Sequence, residues 1–513
     1  MNLYEFLLAN GKPDDIAVIA NGTSTTYEQL KVMSEGIAAS LLALGAKKQD
    51  RIGILADNSP FWVASYLGIL KIGAIAVPFP SRLTAQELQE FVTITGCCTF
   101  CAEGNQLRKH LADIPHSCQL VMPENDIEKT ARGFSVRSPS GTCSTAEIDE
   151  KSDLAVLMFT SGSTGQPNAV RVSHRNIMAN TESTISYLRL HPDDKMMVVL
   201  PFHYTFGTSL LHTHLRVGGT LVLASHPQYT ESVLNEVERA GCTGLAGVPG
   251  FFQQLIRNSS FPRRQFPLLR HIQQAGGKLP DVFIKELASM LPPTTRLFIM
   301  YGQTEASPRL SYLPPERLNE KLGSIGRGMD GVTLQVLDAT GNVIKPGEVG
   351  EIVAEGDNIC LGYWVPDPSK DSFRGNRLYT GDMATVDEDG YIYIVGRSGD
   401  FIKPSGFRTS VAHIENVLLE IPGILEAAVV GVAHAQLGEA AKAYVVTRQG
   451  ERLTEEQILD YCRRQLPAHA VPREVEFLPA LPKNGAGKVA KKALREAKPS
   501  PLIEQICVES SAS

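Results

Sequence analysis

Leu154-Ala155-Val156-Leu157-Met158-Phe159-Thr160-Ser161-Gly162-Ser163-Thr164-Gly165-Gln166-Pro167 is an apolar run that gives way to a loop of hydroxyls and glycines. Residues 154–159 read as a buried strand. In the loop, Gly162 and Gly165 let the backbone turn its N–H groups inward, and Thr160, Ser161, Ser163 and Thr164 add O–H donors. A loop of that build can wrap phosphate oxygens. No Gly-Lys-Ser/Thr follows, so it is not a Walker A loop, and Gly485-Ala486-Gly487-Lys488-Val489 fails the same test.

Downstream of the loop, the pattern predicts a helix over 175–188, strands over 196–200 and 220–223, a helix over 231–240 and a strand over 296–300. Upstream, Leu30, Met33, Ile37, Leu41 and Leu44 recur at helical spacing. A strand over 51–55, a helix over 62–71 and a strand over 74–77 follow. Strands alternating with helices predict an α/β fold of layered, mostly parallel sheets with helices on their faces. From Gly331 short alternating strands, such as 332–337 before Asp338-Ala339-Thr340-Gly341, predict a β-rich subdomain over about 325–396. The polar run Gly396-Arg397-Ser398-Gly399-Asp400 sets the expected boundary. It divides a large N-terminal domain, 1–396, from a small mobile α+β domain, 397–513, with a helix over 413–419, strands over 427–432 and 442–446 and a helix over 454–466.

A chain of 513 residues with 43% hydrophobic and 20% charged residues has ordinary globular composition and is too long for one core. Lys+Arg 49 against Asp+Glu 55 leaves a net charge of -6, no footprint for a nucleic acid. Residues 1–8 carry Glu5 and no Lys or Arg, unlike a secretory signal, and the apolar stretch 64–80 contains Lys71 and Pro78, so no membrane span and a cytoplasmic protein are expected. Nine cysteines in so long a chain fit reduced thiols. Cys98 and Cys101 form one C-x-x-C without the second ligand pair a zinc site needs.

Four further segments stand in order behind the loop: Tyr301-Gly302-Gln303-Thr304-Glu305, Tyr379-Thr380-Gly381-Asp382, Gly396-Arg397 with Lys403 and Gly406-Phe407-Arg408, and Pro482-Lys483-Asn484-Gly485-Ala486-Gly487-Lys488. With these the sequence resembles the AMP-forming adenylate-forming superfamily of acyl- and aryl-CoA synthetases, nonribosomal-peptide adenylation domains and luciferases. The likeness runs from Thr26-Tyr27-Glu28-Gln29-Leu30 to Lys488. Enzymes of this kind serve fatty-acid or secondary metabolism, including antibiotic and toxin biosynthesis.

The resemblance implies ATP and Mg²⁺ as partners of the site. Thr160, Ser161, Gly162, Ser163, Thr164 and Gly165 would hold the phosphates, and Tyr301, with Gly302 and Gln303, would stack on adenine beside Gly276, Gly277 and Lys278. Thr304 would contact the α-phosphate and Glu305 would bind Mg²⁺. Asp382 would accept two ribose hydroxyls with Arg397 assisting, as a carboxylate suits. Lys488 would reach both the acid and the α-phosphate, a compact cation where two anions meet. Lys403, with Gly406 and Arg408, would belong to the face that serves the second half-reaction, and Gly399 sits at the hinge position.

Two departures stand out. Relatives carry Pro-Lys-Gly after the loop where this chain has Pro167-Asn168-Ala169, one cation fewer near the departing pyrophosphate. After Arg408, Val411 and His413 replace the usual proline and glutamate near the acceptor. Pro201-Phe202-His203-Tyr204-Thr205-Phe206-Gly207 resembles the acid pocket with His203 at its gate, and it lacks the aspartate that would pair with a substrate ammonium. The expected substrate is therefore a small-molecule acyl or aryl carboxylic acid with an uncharged body, not an α-amino acid. Acyl transfer to the thiol of CoA or of a carrier-protein phosphopantetheine is expected, with two alternatives. One is amide formation with an amino acid, as in proteins resembling coronafacate ligase; the other is a catalytically inactive nucleotide-binding homologue.

Overall fold

Residues 60–71 are apolar on nearly every side, and a helix of that composition belongs inside a protein. In the computed structural model helix Pro60–Lys71 is buried along its length, with Pro60 in its first turn and the Ser59 side chain accepting from Trp62 N. The buried Lys71 ammonium pairs with Glu35 at 3.0 Å. The neighbouring helix Tyr27–Ala43, capped by Thr26 and Gln29, lies so close that a Cβ on Gly68 would meet Ser34 O at 2.7 Å. Trp62 is only 1% exposed, and its truncation to alanine would cost about 3–5 kcal/mol.

The structure describes residues 1–81, 83–110, 113–114, 117–126, 135–160, 168–366, 372–397, 401–402, 404, 409–434, 437–448, 450–451, 453–483 and 489–496. The chain divides into two compact units. The first comprises Met1–Leu279, Glu286–Gly381 and Thr385–Tyr393; the second comprises Pro280–Lys285, Asp382–Ala384 and Ile394–Ser513.

Two large sheets organise the first unit. One has seven strands in the order Ser135–Arg137, Gln119–Val121, Thr99–Ala102, Arg51–Leu55, Ile75–Pro78, Leu154–Thr160 and Asn168–Ser173, parallel except for the last pair. Phe79, Phe100, Phe91 and Phe159 fill its core, the last two rings stacked at 4.0 Å. The other has nine strands in the order Arg327–Gly328, Arg309–Leu313, Arg296–Gly302, His271–Gln274, Gly244–Gly247, Lys195–Val198, Thr220–Leu223, Ile16–Ala20 and Thr23–Thr26. Its six central strands, from Arg296–Gly302 to Ile16–Ala20, run parallel. A third sheet starts at Val332–Leu337, which pairs antiparallel with Gly350–Gly356, and adds Arg377–Val386, Phe373–Arg374 and Ile392–Arg397.

In the second unit Ile424–His434 pairs antiparallel with Gly438–Thr447, which pairs parallel with Glu474–Phe477. Helices Val411–Leu419 and Glu455–Gln465 accompany this sheet. The α/β class, the mostly parallel sheets, the β-rich sheet and the small α+β tail all agree with the sequence pattern. Among the strands that the sequence reading did not name are Asn168–Ser173 and Arg309–Leu313. Both are antiparallel additions to parallel sheets, and both frame the loops described next. Cys97 and Cys101 of the C-x-x-C region are buried and Cys98 is exposed. No helix among the described residues is long and apolar enough to cross a membrane.

Candidate active site

The stem of the hydroxyl-rich loop is a hairpin. Strand Leu154–Thr160 pairs with Asn168–Ser173 in a register that sets Thr160 opposite Asn168, and the Thr160 hydroxyl donates to Asn168 O at 3.4 Å. Both ends of the loop are therefore held by a ladder. Ser161, Gly162, Ser163, Thr164 and Gly165 lie outside the described residues. Asn168, which stands where relatives carry lysine, is buried at the loop end of the stem.

The second element is the turn after strand Arg296–Gly302. The chain folds back so tightly that a Cβ on Gly302 would meet Pro308 O at 2.0 Å, and Gln303 N donates to that same oxygen at 2.8 Å. Only glycine fits there. Two asparagines from distant elements clamp the turn. Asn180 Nδ2 donates to Ala306 O and Arg309 O at 3.1 and 2.8 Å. Asn358 Nδ2 donates to the same oxygens at 3.1 and 3.0 Å. Tyr301 packs against Ala306, Leu310 and Ile359.

Glu305 is oriented from segment 360–364. Cys360 N donates to Glu305 O at 3.0 Å, and the Tyr363 hydroxyl donates to Glu305 Oε1 at 2.9 Å. Burial first, and the Glu305 charge second, push the Tyr363 phenol far above its ordinary range, so it remains a donor at any working pH. The same segment zips onto the hairpin: Leu361 N donates to Arg171 O at 2.9 Å and Trp364 N to Ala169 O at 2.7 Å. Thus one extended segment couples Glu305 to the loop stem. A single carboxylate with one oxygen anchored by a phenol fits Mg²⁺, which takes one or two protein carboxylates and completes its shell with phosphates and water.

Thr304 reaches toward the third element, the segment 201–207. Its Oγ1 lies 3.3 Å from Thr205 Oγ1, at the start of helix Thr205–Val217. Gly207 allows this helix to begin against its own approach, since a Cβ there would meet Pro201 O at 2.2 Å. Asn58 braces the approach by accepting from Phe202 N and donating to Leu200 O, both at 2.9 Å. The His203 ring lies 4.3 Å from that of Tyr204. Burial holds its imidazole down to about 4 against the opposing pull of Asp57, so at neutral pH it is uncharged.

Gly276 and Gly277 follow strand His271–Gln274, whose parallel neighbour ends in Tyr301 and Gly302. The carboxyl ends of adjacent parallel strands are where open α/β sheets bind ligands. Gly276 has φ +85, and a Cβ on it would press on Val248 at 3.0 Å. Gln274 Nε2 closes the turn by donating to Gly277 O at 2.9 Å. In the second unit Arg397 Nε donates to Asp382 Oδ1 at 2.9 Å, with Asp382 buried and Arg397 exposed. Lys403 and Lys488 lie outside the described residues; Lys483 and Val489, which flank Lys488 in sequence, form an antiparallel bridge.

The structure thus gathers Tyr301, Gly302, Gln303, Thr304 and Glu305 with the 201–207 segment, and joins Glu305 to the Thr160 hairpin. Sequence reading did not find Asn58, Asn180, Asn358 or Tyr363. Each acts across a long sequence separation, and the available signal was a polar residue within an otherwise buried run.

Comparison with known proteins agrees with this geometry. The sequence matches the AMP-binding enzyme family over residues 8–364 and the AMP-binding enzyme C-terminal domain over residues 413–488. It is 32% identical over 501 residues to a feruloyl-CoA synthase of Amycolatopsis sp, covering 95% of this chain and 96% of that one. The structure is similar to o-succinylbenzoate CoA synthetase from Bacillus subtilis in complex with an acyl-adenylate intermediate, with a TM-score of 0.84, 26% identity and coverage of 97% and 98% of the two chains. It is equally similar to the amide bond synthetase McbA from Marinactinospora thermotolerans, with a TM-score of 0.84, 26% identity and coverage of 96% and 98%. With the glycine-hydroxyl loop on its hairpin stem, the clamped Tyr301–Glu305 turn and both family matches in place, this chain belongs to the AMP-binding enzyme family of adenylate-forming acyl- and aryl-CoA synthetases.

Proposed function

We propose that the protein activates a carboxylic acid with ATP to an acyl-AMP and then transfers the acyl group to the thiol of CoA. The observation that carries this reading is the contact of Thr304 Oγ1 with Thr205 Oγ1 at 3.3 Å, which joins the nucleotide turn to the start of the acid-pocket helix. Two reactants held against adjoining hydroxyls meet without a diffusional search.

In the first half-reaction a carboxylate oxygen attacks the α-phosphorus, the new P–O bond forms, and pyrophosphate leaves with the electrons of the α–β bond. Thr304 donates to an α-phosphate oxygen, residues 160–165 hold the β- and γ-phosphates, and Asp382 with Arg397 holds the ribose. Tyr301, Gly302 and Gln303, with Gly276 and Gly277, frame the adenine. Glu305 would hold Mg²⁺, which supplies positive charge where the phosphates gather negative charge. Lys488 offsets the approach of one anion to another. His203, uncharged, lines the entrance without repelling or pairing with the acid. In the second half-reaction the thiol loses its proton, sulfur attacks the acyl carbon, and AMP leaves with the carboxylate-derived oxygen. Lys403 belongs to the face that serves this step. We assign residues 1–396 to nucleotide and acid binding and 397–513 to delivery of the two lysines.

The likeness to a feruloyl-CoA synthase supports a thiol acceptor. Amide formation with an amino acid is the second reading, favoured by one observation. His413 is exposed on the first turn of helix Val411–Leu419, beside buried Val411, where thioester-forming relatives have glutamate and proline. The test supplies acid, ATP and Mg²⁺ with CoA, holo carrier protein and mixed amino acids in competition, and identifies products by mass. An acyl-CoA as main product is expected. An acyl-amino acid as sole product would overturn the thiol reading, and absence of acid-dependent pyrophosphate release would leave an inactive nucleotide-binding homologue.

A further inference from the structure

We infer that the acid this enzyme activates carries a second anionic group, and that Arg309, a guanidinium buried against helix Thr205–Val217 with no carboxylate beside it among the described residues, is the residue that pairs with it. The inference rests on the acid-activating reading above and names the class of acid.

Arg309 opens strand Arg309–Leu313, directly after the clamped turn, and its backbone oxygen receives both Asn180 and Asn358. Its position is therefore as firmly set as that of Thr304. The side chain is only 2% exposed and runs under helix Thr205–Val217. There its Cζ lies 5.2 Å from the centre of the Phe206 ring, Nη1 donates to Ser209 Oγ at 2.6 Å, and Nη2 donates to Gln273 Oε1 at 3.1 Å. Nε has no partner among the described residues. Five N–H donors in a planar fork thus meet two neutral acceptors and an aromatic face.

Among the described residues nothing around the guanidinium balances its charge. His212 and His214 are held uncharged by burial, to about 3 and about 4, and Arg309 itself opposes their protonation. Tyr187, the acidic group that faces it, is pushed up to about 12 by burial. Asp194, the buried carboxylate of this region, is engaged by Arg270 at 2.9 Å and by the Thr243 hydroxyl at 2.6 Å. Among the described residues no carboxylate lies within 4 Å of Arg309, by the ion pairs observed in the chain. A buried cation without a counter-charge is strongly unfavourable, and the arrangement makes sense where an anion arrives with the ligand. Arginine suits a carboxylate in particular, because its fork matches both oxygens.

The helix gives the span. Thr205 meets Thr304 at the reacting end, and Ser209 meets Arg309 four residues on, roughly 6 Å further along the axis. Phe206 lies between as an apolar wall. A short aliphatic or aromatic diacid fits that spacing. The 201–207 segment alone pointed to an acid with an uncharged body; Arg309 lies outside that segment and changes the expectation.

The test compares matched pairs, such as glutarate with pentanoate and terephthalate with benzoate, by acid-dependent pyrophosphate release, in wild type, R309M and R309K. For the best pair the wild type should favour the diacid in kcat/KM by about 10-fold or more. R309M should collapse that ratio mainly through KM, and R309K should restore part of it. A wild type that prefers the monoacid, or an R309M that lowers both members of each pair equally, would overturn the proposal. If R309M does not fold, the wild-type preference and the R309K ratio decide alone. If no acid releases pyrophosphate, melting temperatures decide. A diacid that stabilises wild type more than its matched monoacid does, with R309K showing a smaller difference, keeps the anion site while the ligase reading falls, and equal shifts with both members of a pair refute the anion site.

Discussion

Thr304 and Thr205, ninety-nine positions apart in sequence, place their hydroxyl oxygens 3.3 Å from each other, one on the turn after strand Arg296–Gly302 and one at the first position of helix Thr205–Val217. Either hydroxyl can donate, so when a phosphate oxygen takes the proton of one, the other can turn to support it. Under the proposed function the pair would relay orientation between the nucleotide and the acid.

Thr205→Val keeps the shape and removes this partner. A neutral hydrogen bond contributes about 1 kcal/mol net, so acid-dependent pyrophosphate release should fall by roughly fivefold to tenfold in kcat/KM. Thr304→Val should cost more, since it also removes the proposed donor to phosphate. Steady-state kinetics on both variants check the order; equal or absent effects would dissolve the coupling.

Tyr363→Phe removes the hydroxyl that anchors Glu305 Oε1 at 2.9 Å. The carboxylate then has more freedom, so half-maximal activity should require several-fold more Mg²⁺, with stability lower by about 1 kcal/mol. Glu305→Gln should raise the requirement further. A Mg²⁺ titration of the three proteins decides, and an unshifted Tyr363→Phe curve would show that the phenol plays no part in holding the metal.

Burial holds His174, His203 and His214 down to about 4 from an ordinary 6.5. His174 Nδ1 accepts from Leu3 N at 3.2 Å, which requires an unprotonated nitrogen. In the unfolded chain these rings protonate near 6.5, so below that pH the unfolded state binds more protons. The native state should be fully stable above about 6.5 and lose roughly 1.4 kcal/mol per histidine per pH unit between there and about 4. Urea unfolding at pH 7, 6 and 5 measures the slope. A flat profile would mean that the rings are protonated in the native protein.

Lys488→Ala should lower acid-dependent pyrophosphate release by several orders of magnitude and leave acyl transfer from presynthesised acyl-AMP far less affected. Equal loss in both assays would refute the division of labour between the half-reactions.

Local pattern was enough to read strands Arg51–Leu55, Thr220–Leu223 and Val332–Leu337 and the apolar helix Pro60–Lys71, because side-chain periodicity and capping residues act over a few positions. The ordered motifs around Thr160, Tyr301, Asp382, Arg397 and Lys488 likewise identified the family before any contact was known. Strand Asn168–Ser173 escaped because its evidence is a partner strand, not its own composition. Asn180, Asn358 and Tyr363 are ordinary polar residues in sequence, and they became site residues only when long-range pairing brought them to Ala306, Arg309 and Glu305. Arg309 shows the difference most sharply. As a letter after Pro308 it is a surface charge by default, since arginine is seldom fully buried without a partner. Only the packing of helix Thr205–Val217 over its strand takes water away from the guanidinium and turns it from a solvated charge into one that waits for an anion.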